Sequence, residues 1–460
     1  MSEIAHSPIH RFHRIAGHLV FLLLLILSIF YAAERATYVD SAWQFFQRVN
    51  DGRFNTPFGR YGVIPSQLPL WIAVKFHLPF RWLVYIFSSS YILLYFLIWR
   101  LSTFTLKNDI AGLTVMLCMI VGVRETFMHT VTESHQAIAY SALLYAMISF
   151  ENWRSNGLKI ACLILVSYLV MFSHPFGAFT AGFLLAYRIV HDHKRDRATF
   201  ILFGVIVCIA LFRFIFPDNK YDAEQYAHLH KDGLLSTISS SGVLNFIRIH
   251  SVHFYWLPEL MTAVCLLVLV LRKRFLTIGL LIISVSVFLC LSIVTYHDGD
   301  SSIMVERLFL PAFFMINLVF AGMVFNETNK FKWPVLVLLL FITGNGLRYV
   351  NYGCLMYKKR LDYIDGLVND AIKNGESKVY IQPEDLKKEV ILVDWALGSE
   401  SIVASTFKYN KNISITVGKP DCGYDDIQIM PQYHISDNTM NRDYFNFQSE
   451  KYTQLIPTNR

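Results

Sequence analysis

The sequence predicts an all-α polytopic membrane protein of about eleven transmembrane helices, followed by a small extracytoplasmic α/β domain. Three observations carry that prediction. Hydrophobic residues make up 54% of the chain and charged residues only 16%, where a soluble domain carries about 25% charged. Apolar runs of near-bilayer length recur as far as Val350. The short basic clusters sit at the ends of those runs and fall on one side when each run is counted as a crossing.

Residues 1–17 are placed in the cytoplasm. Arg11 and Arg14 precede the apolar run His18–Ala33, which has the outline of a signal peptide. Cleavage wants small residues at about −1 and −3. A cut after Ala33 puts Tyr31 at the second of these positions and a cut after Ala32 puts Phe30 there, so an uncleaved first span is expected. The first outer loop, Glu34–Gln67, is polar, aromatic and acidic by turns, with an amphipathic piece at Ser41–Val49. Leu68–Leu78 (LPLWIAVKFHL) is too short to span and carries Lys75 and His77. It reads as an interfacial or re-entrant helix. A short true span there would invert everything downstream.

Positive charge decides between the two. With an interfacial helix, Phe80–Leu101 returns to the cytoplasm and leaves Arg100 and Lys107 inside. Ile110–Val123 goes out and Ser134–Phe150 comes back to Arg154 and Lys159. Leu158–Phe172 goes out, and Phe176–Val190 returns to the cluster His191–Arg197 (HDHKRDR). Ala198–Phe216 goes out to a long loop, Phe254–Leu271 returns to Arg272–Arg274, and Phe275–Tyr296 goes out. Ile303–Phe325 returns to Lys330 and Lys332, and Val335–Val350 goes out last. This gives the membrane domain 18–350.

The tail, 351–460, reads as a separate extracytoplasmic unit. Lys358–Lys373 has helical spacing and stops before Gly375. Strand-like runs follow at Lys378–Gln382, Val390–Trp395 and Asn412–Val417, with a helical Glu400–Tyr409 among them. From Asp421 onward the chain is polar and without periodicity. Cys354 and Cys422 both fall in this tail, where they either pair or stay as free thiols. The remaining cysteines lie in apolar runs as small hydrophobes.

Ionisable residues that do not serve as inside anchors gather on the outer face. They are Glu34, Asp40 and Asp51 in the first loop, Arg124, Glu125, His129, Glu133 and His135 after Val123, His174 in a tight turn, His297, Asp298 and Asp300, and then Glu306–Arg307. Charges near a bilayer are costly, so each is a site hypothesis. Asp40 either caps the helix beginning near Ser41 or does chemistry. Glu34–Arg35 reads as an interfacial charge pair. Arg307, just inside the outer boundary, suits a lipid phosphate. No metal-ligand spacing of the HExxH kind occurs; the expected site is metal-free, with a divalent ion as the lesser alternative. Net charge is +7, but the basic residues do not cluster on a water-facing surface, which argues against nucleic acid.

This layout resembles the GT-C class of integral-membrane glycosyltransferases. The likeness rests on the first outer loop with its acidic Asp40, on SQLPLWI (Ser66–Ile72) and on VERLFLPAFF (Val305–Phe314). It covers roughly Arg14–Val350 and lacks the acidic pair common in that class, since Ser41 follows Asp40. The resemblance implies transfer of a sugar from a polyprenyl-phosphate-linked donor in the bilayer to a glycan, lipid or protein acceptor outside the cytoplasmic membrane. Asp40 is then the general base and Arg307 holds the lipid phosphate, with Arg124, Glu133, His135, His174 and Glu34 around the substrate. A bacterial inner membrane is the expected setting. The alternatives are a transporter or flippase, and a ligase or polymerase of lipid-linked glycans. A transporter would favour charges at mid-span, which this chain nearly lacks.

Overall fold

The structure, a computed structural model, describes residues 8–457 apart from 195, 217–218, 221–222, 225–243, 246–247, 249–252, 296–301, 327–331, 392, 424–425, 432 and 448–450. In chain order its helices are α1 (Pro8–Phe30), α2 (Ala32–Ala36), α3 (Val39–Asp51), α4 (Ile64–Lys75), α5 (Phe80–Arg100), α6 (Asp109–Cys118), α7 (Glu133–Ser149), α8 (Asn156–Ser173), α9 (Gly177–Val190), α10 (Arg197–Ile215), α11 (Trp256–Leu271), α12 (Phe275–Thr295), α13 (Ser302–Asn326) and α14 (Lys332–Lys373). Seven of these, α1, α5, α8, α10, α12, α13 and α14, are long and apolar enough among the described residues to cross a membrane. The chain has the build of an integral membrane protein.

Burial separates lipid-facing helices from central ones. Leu19, Leu22 and Ile26 on α1, Ile160 and Ile164 on α8, Phe212 on α10 and Ile283 on α12 are exposed, a surface suited to acyl chains rather than water. By contrast, α7 is buried along nearly its whole length and α13 is almost as enclosed. These two central helices carry Glu133 and Arg307.

Polar contacts tie each end of the bundle. At one end His10 Nδ1 meets Asp109 Oδ2 at 2.5 Å, joining the starts of α1 and α6. At the same end Tyr145 donates to Asp192 at 2.6 Å, and Arg188 pairs with Asp196 at 3.0 Å. The opposite end gathers the starts of α3, α7, α9 and α13.

Several boundaries differ from expectation. Helix α1 begins at Pro8 rather than His18 and stops at Phe30, with α2 a separate short turn. The helix expected over Leu68–Leu78 runs Ile64–Lys75. Pro65 opens it, since proline fits a first helical turn. His77 at φ 50 and Pro79 end it. The last span and the expected helix Lys358–Lys373 are one 42-residue helix, α14. Gly353 lies within it because a Cβ there would fall 2.0 Å from the Arg124 carbonyl oxygen; the glycine serves close packing rather than a break.

The tail adds β1 (Lys378–Ile381), α15 (Leu397–Tyr409), β2 (Ser414–Val417), β3 (Asp426–Met430), β4 (Tyr433–Ser436) and β5 (Thr453–Gln454). β1 pairs in parallel with β2 on one side and β5 on the other, while β3 and β4 form an antiparallel pair. Val390–Trp395 is loop and turn among its described residues, not a strand. Its Val393 carbonyl accepts from Arg360 Nη2 at 2.6 Å, which takes it out of any ladder. The stretch after Asp421, expected to be irregular, holds β3 to β5. The tail is joined to the membrane domain through one continuous apolar core that includes Phe45, Phe46, Ile402, Val403 and Phe445. Phe46 and Phe445 pack at 4.8 Å between ring centroids, and Tyr444 donates to the Leu78 carbonyl at 3.2 Å. Cys354 and Cys422 are both free, and Cys354 is buried within α14.

Candidate active site

Helix α3 places the central carboxylate. Its N-cap is Tyr38, and no side chain caps the helix, so Asp40 is not the cap. Val39 precedes it at φ 30, a region that β-branched residues avoid. That backbone is held from outside: the Val39 N–H donates to Glu400 Oε1 of α15 at 2.9 Å. Glu400 is wholly buried and is itself bound by Arg360 of α14 at 3.0 and 2.7 Å. A strained residue fixed by a buried ion pair thus sits beside Asp40.

From there the Asp40 side chain reaches two partners. Its Oδ2 accepts from His129 Nε2 at 2.8 Å and from Arg307 Nη1 at 3.1 Å. Arg307 Nη2 lies 3.7 Å from Glu133 Oε2, and Arg60 Nη1 lies 3.4 Å from Glu133 Oε1. The result is a line of alternating charge, Asp40, Arg307, Glu133, Arg60, drawn from four distant parts of the chain. Burial pushes the Asp40 carboxyl upward, but the hydrogen bond and charge of His129, and then Arg307, outweigh it and hold the group down at about 2. Burial lowers His129, helped by Arg307, against the pull of Asp40. An ionised Asp40 only accepts, so a proton sits on His129 Nε2; Nδ1 lies 2.6 Å from Thr132 Oγ1, whose hydroxyl donates to the His129 carbonyl at 2.8 Å.

These groups face a cavity of about 530 Å³. Its polar wall is Asp40, Gln44, Arg60, Glu133, His174 and Arg307, and its aromatic wall is Trp43, Phe58, Phe176 and Trp395. Met430 and Pro431 close it from the tail. Trp43 Nε1 has no acceptor among the described residues. Burial, first of all, and then Arg60 and Arg307 hold His174 well below the ordinary histidine range, so it is neutral. A pocket of this size, apolar with a few convergent polar groups, is the usual form of a small-molecule site.

Of the residues singled out in sequence, Asp40, Glu133, His174 and Arg307 come together. Three others do not. Arg124 pairs with Glu125 and stacks on Phe254 at 3.9 Å, away from the cavity wall; its main-chain N–H donates to Glu306 at 2.8 Å. His135 is buried within α7 beside Tyr95. Glu34 lies on α2 toward Lys358 of α14, with its pKa raised by burial. The expected interfacial pair Glu34–Arg35 is absent: Arg35 is buried and donates to Ser88 Oγ at 2.8 Å and to the Phe127 carbonyl. His297, Asp298 and Asp300 lie outside the described residues. Arg60, Gln44 and Trp395 were missed, and His129 was noted but not chosen. One signal for Arg60 was present, a basic residue in an outer loop that has no use for an inside anchor.

Among the described residues no group of three His, Cys, Asp or Glu side chains is arranged to hold a metal ion. Comparison with family models, with curated proteins and with solved structures finds no match to this chain.

Proposed function

We propose that this chain is a GT-C-like membrane glycosyltransferase that moves a sugar from a polyprenyl-phosphate-linked donor to an acceptor hydroxyl at the extracytoplasmic face. The observation that carries the reading is the pairing of a carboxylate and a guanidinium, Asp40 and Arg307, 3.1 Å apart on the wall of one cavity. Asp40 takes the acceptor proton as the hydroxyl oxygen bonds to the anomeric carbon. The bond from that carbon to the phosphate oxygen breaks, and polyprenyl phosphate leaves. Arg307, backed by Arg60, neutralises the charge that grows on the phosphate. Trp43, Phe58 and Trp395 offer faces for a sugar ring. Leu68, Ile72 and Phe76, on and just after α4, are exposed apolar residues suited to border a lateral entry for the lipid tail. No step here requires a metal.

The same reading counts α6, α7, α9 and α11 as crossings too, giving about eleven. It sets the His10–Asp109 end in the cytoplasm and the cavity and tail outside, in a bacterial inner membrane, as the basic clusters suggest. The test is Asp40→Asn, assayed by sugar transfer from polyprenyl-phosphate-linked donors in isolated membranes. Transfer should fall by about 100-fold or more while the protein stays folded in the membrane. Full activity in that variant removes Asp40 as the base.

A further inference from the structure

Behind the wall formed by Trp395, Met430 and Pro431 lies a second cavity of about 260 Å³, which shares those three residues with the first. It sits where β1 and β2 end, at Pro383 and Val417, against the opening turn of α15 at Gly398. β1, α15 and β2 make a parallel crossover unit, and such units seat ligands at the carboxyl ends of their strands. The first N–H of α15, that of Leu397, donates to the Asp394 carbonyl at 3.0 Å and fixes the turn at this edge of the cavity. A Cβ at Gly398 would lie 2.5 Å from the Gln428 carbonyl oxygen, so the helix start is laid directly on β3.

The independent observation is Gln428. It lines this cavity, is only 8% exposed, and its Oε1 has no hydrogen-bond partner among the described residues. A buried amide oxygen of that kind is unfavourable unless something donates to it. Asp394 stands exposed at the same cavity and disfavours a phosphate or other anion. The cavity thus offers two acceptors, the Asp394 carboxylate and the Gln428 amide oxygen, beside an indole face. A neutral, hydroxyl-rich ring matches both kinds of contact.

We propose that this second cavity binds a sugar unit, which, resting on the transferase reading, is the acceptor held next to Asp40. The test uses the full chain in lipid nanodiscs, with maltose, lactose, chitobiose and methyl α-mannoside as probes, followed by saturation-transfer NMR. At least one should bind at millimolar concentration. Gln428→Met and Asp394→Asn should each weaken it by about tenfold, the weight of one hydrogen bond. Gln428→Met should leave thermal stability unchanged or raised, because an unpaired polar atom is removed. Asp40→Asn should bind the probe as the parent does. The proposal is overturned if none of the four sugars binds, if Gln428→Met binds equally well, or if only Asp40→Asn loses binding. Asp40-dependent transfer is scored separately, so sugar binding without transfer sinks the enzyme reading and leaves this site standing.

Discussion

Glu400 joins the tail to α3, the helix that carries Asp40, and Glu400→Gln tests that link. The side chain is fully buried, Arg360 is 8% exposed, and their bonds are 3.0 and 2.7 Å long. Replacing one partner of a buried ion pair costs about 3–5 kcal/mol, because the other charge is left uncompensated. That is a large share of a total stability of about 5–15 kcal/mol. The double variant Glu400→Leu/Arg360→Met removes both charges and should regain most of the loss, since apolar replacement of a buried pair is often neutral. It does not restore the acceptor for the Val39 N–H. Two readouts therefore separate. Unfolding midpoints in detergent should fall for Glu400→Gln and recover in the double variant. Amide hydrogen exchange at Val39 should be fast in the double variant despite its recovered stability. A Glu400→Gln protein as stable as the parent, or a double variant in which Val39 stays protected, would refute the reasoning that this pair positions Asp40.

Arg307→Lys keeps the charge but gives up the planar fork that reaches Asp40 and Glu133 together; donor binding should weaken by about 30-fold or more, read as a rise in KM. Gly353→Ala forces a Cβ to 2.0 Å from the Arg124 carbonyl and should cost about 1–3 kcal/mol in an unfolding assay. Asp40 has a folded pKa of about 2 against an ordinary 3.8, so its charged form stabilises the fold above pH 4 and that contribution is lost as pH falls toward about 2. Its side chain is 32% exposed, which limits the effect to about 1 kcal/mol, and the acid-stability gap between parent and Asp40→Asn should close across that window. Single cysteines at Lys194 and Lys411 should react with an impermeant maleimide from opposite sides of the membrane.

Helices were legible because apolar runs of near-bilayer length and flanking basic residues are local signals. The site was partly legible for a related reason. Ionisable groups beside a span are few, so choosing them picked out Asp40, Glu133, His174 and Arg307, which the fold brings to one cavity wall. The same signature also picked Arg124 and Glu34, which do not line that cavity, since a charge at a span end looks alike whether it faces a cavity or, as in Arg124, pairs with Glu125 under Phe254. Arg60 and His129 take their places only through pairings across the fold. His129 meets a residue 89 positions away, and no spacing rule reaches that far. Trp395 was read as a strand end because hydrophobic residues precede it, and the Arg360 bond to the Val393 carbonyl that undoes the strand is tertiary. The alternation in β3, Ile427 and Ile429 about Gln428, was short enough to pass for loop.

A carboxylate held at about 2 is a poor proton acceptor, yet the proposed chemistry asks Asp40 to take a proton. The answer lies in what holds it down. Burial by itself raises Asp40; His129 and Arg307 supply the lowering. On the proposed reading Arg307 is also the group that meets the donor phosphate, a phosphodiester monoanion whose second charge grows as the sugar leaves, and its oxygens compete for the guanidinium. As Arg307 turns toward phosphate, Asp40 keeps its burial and loses one cation, so its pKa rises once the donor is bound. Neutral His129 still donates to Oδ2 and keeps the carboxylate aimed. Glu133, set between Arg60 and Arg307, keeps both guanidiniums near the cavity while Asp40 is released from one of them. Base strength at Asp40 is then coupled to donor occupancy through a single arginine, and the alternating line of charge is the form such coupling takes.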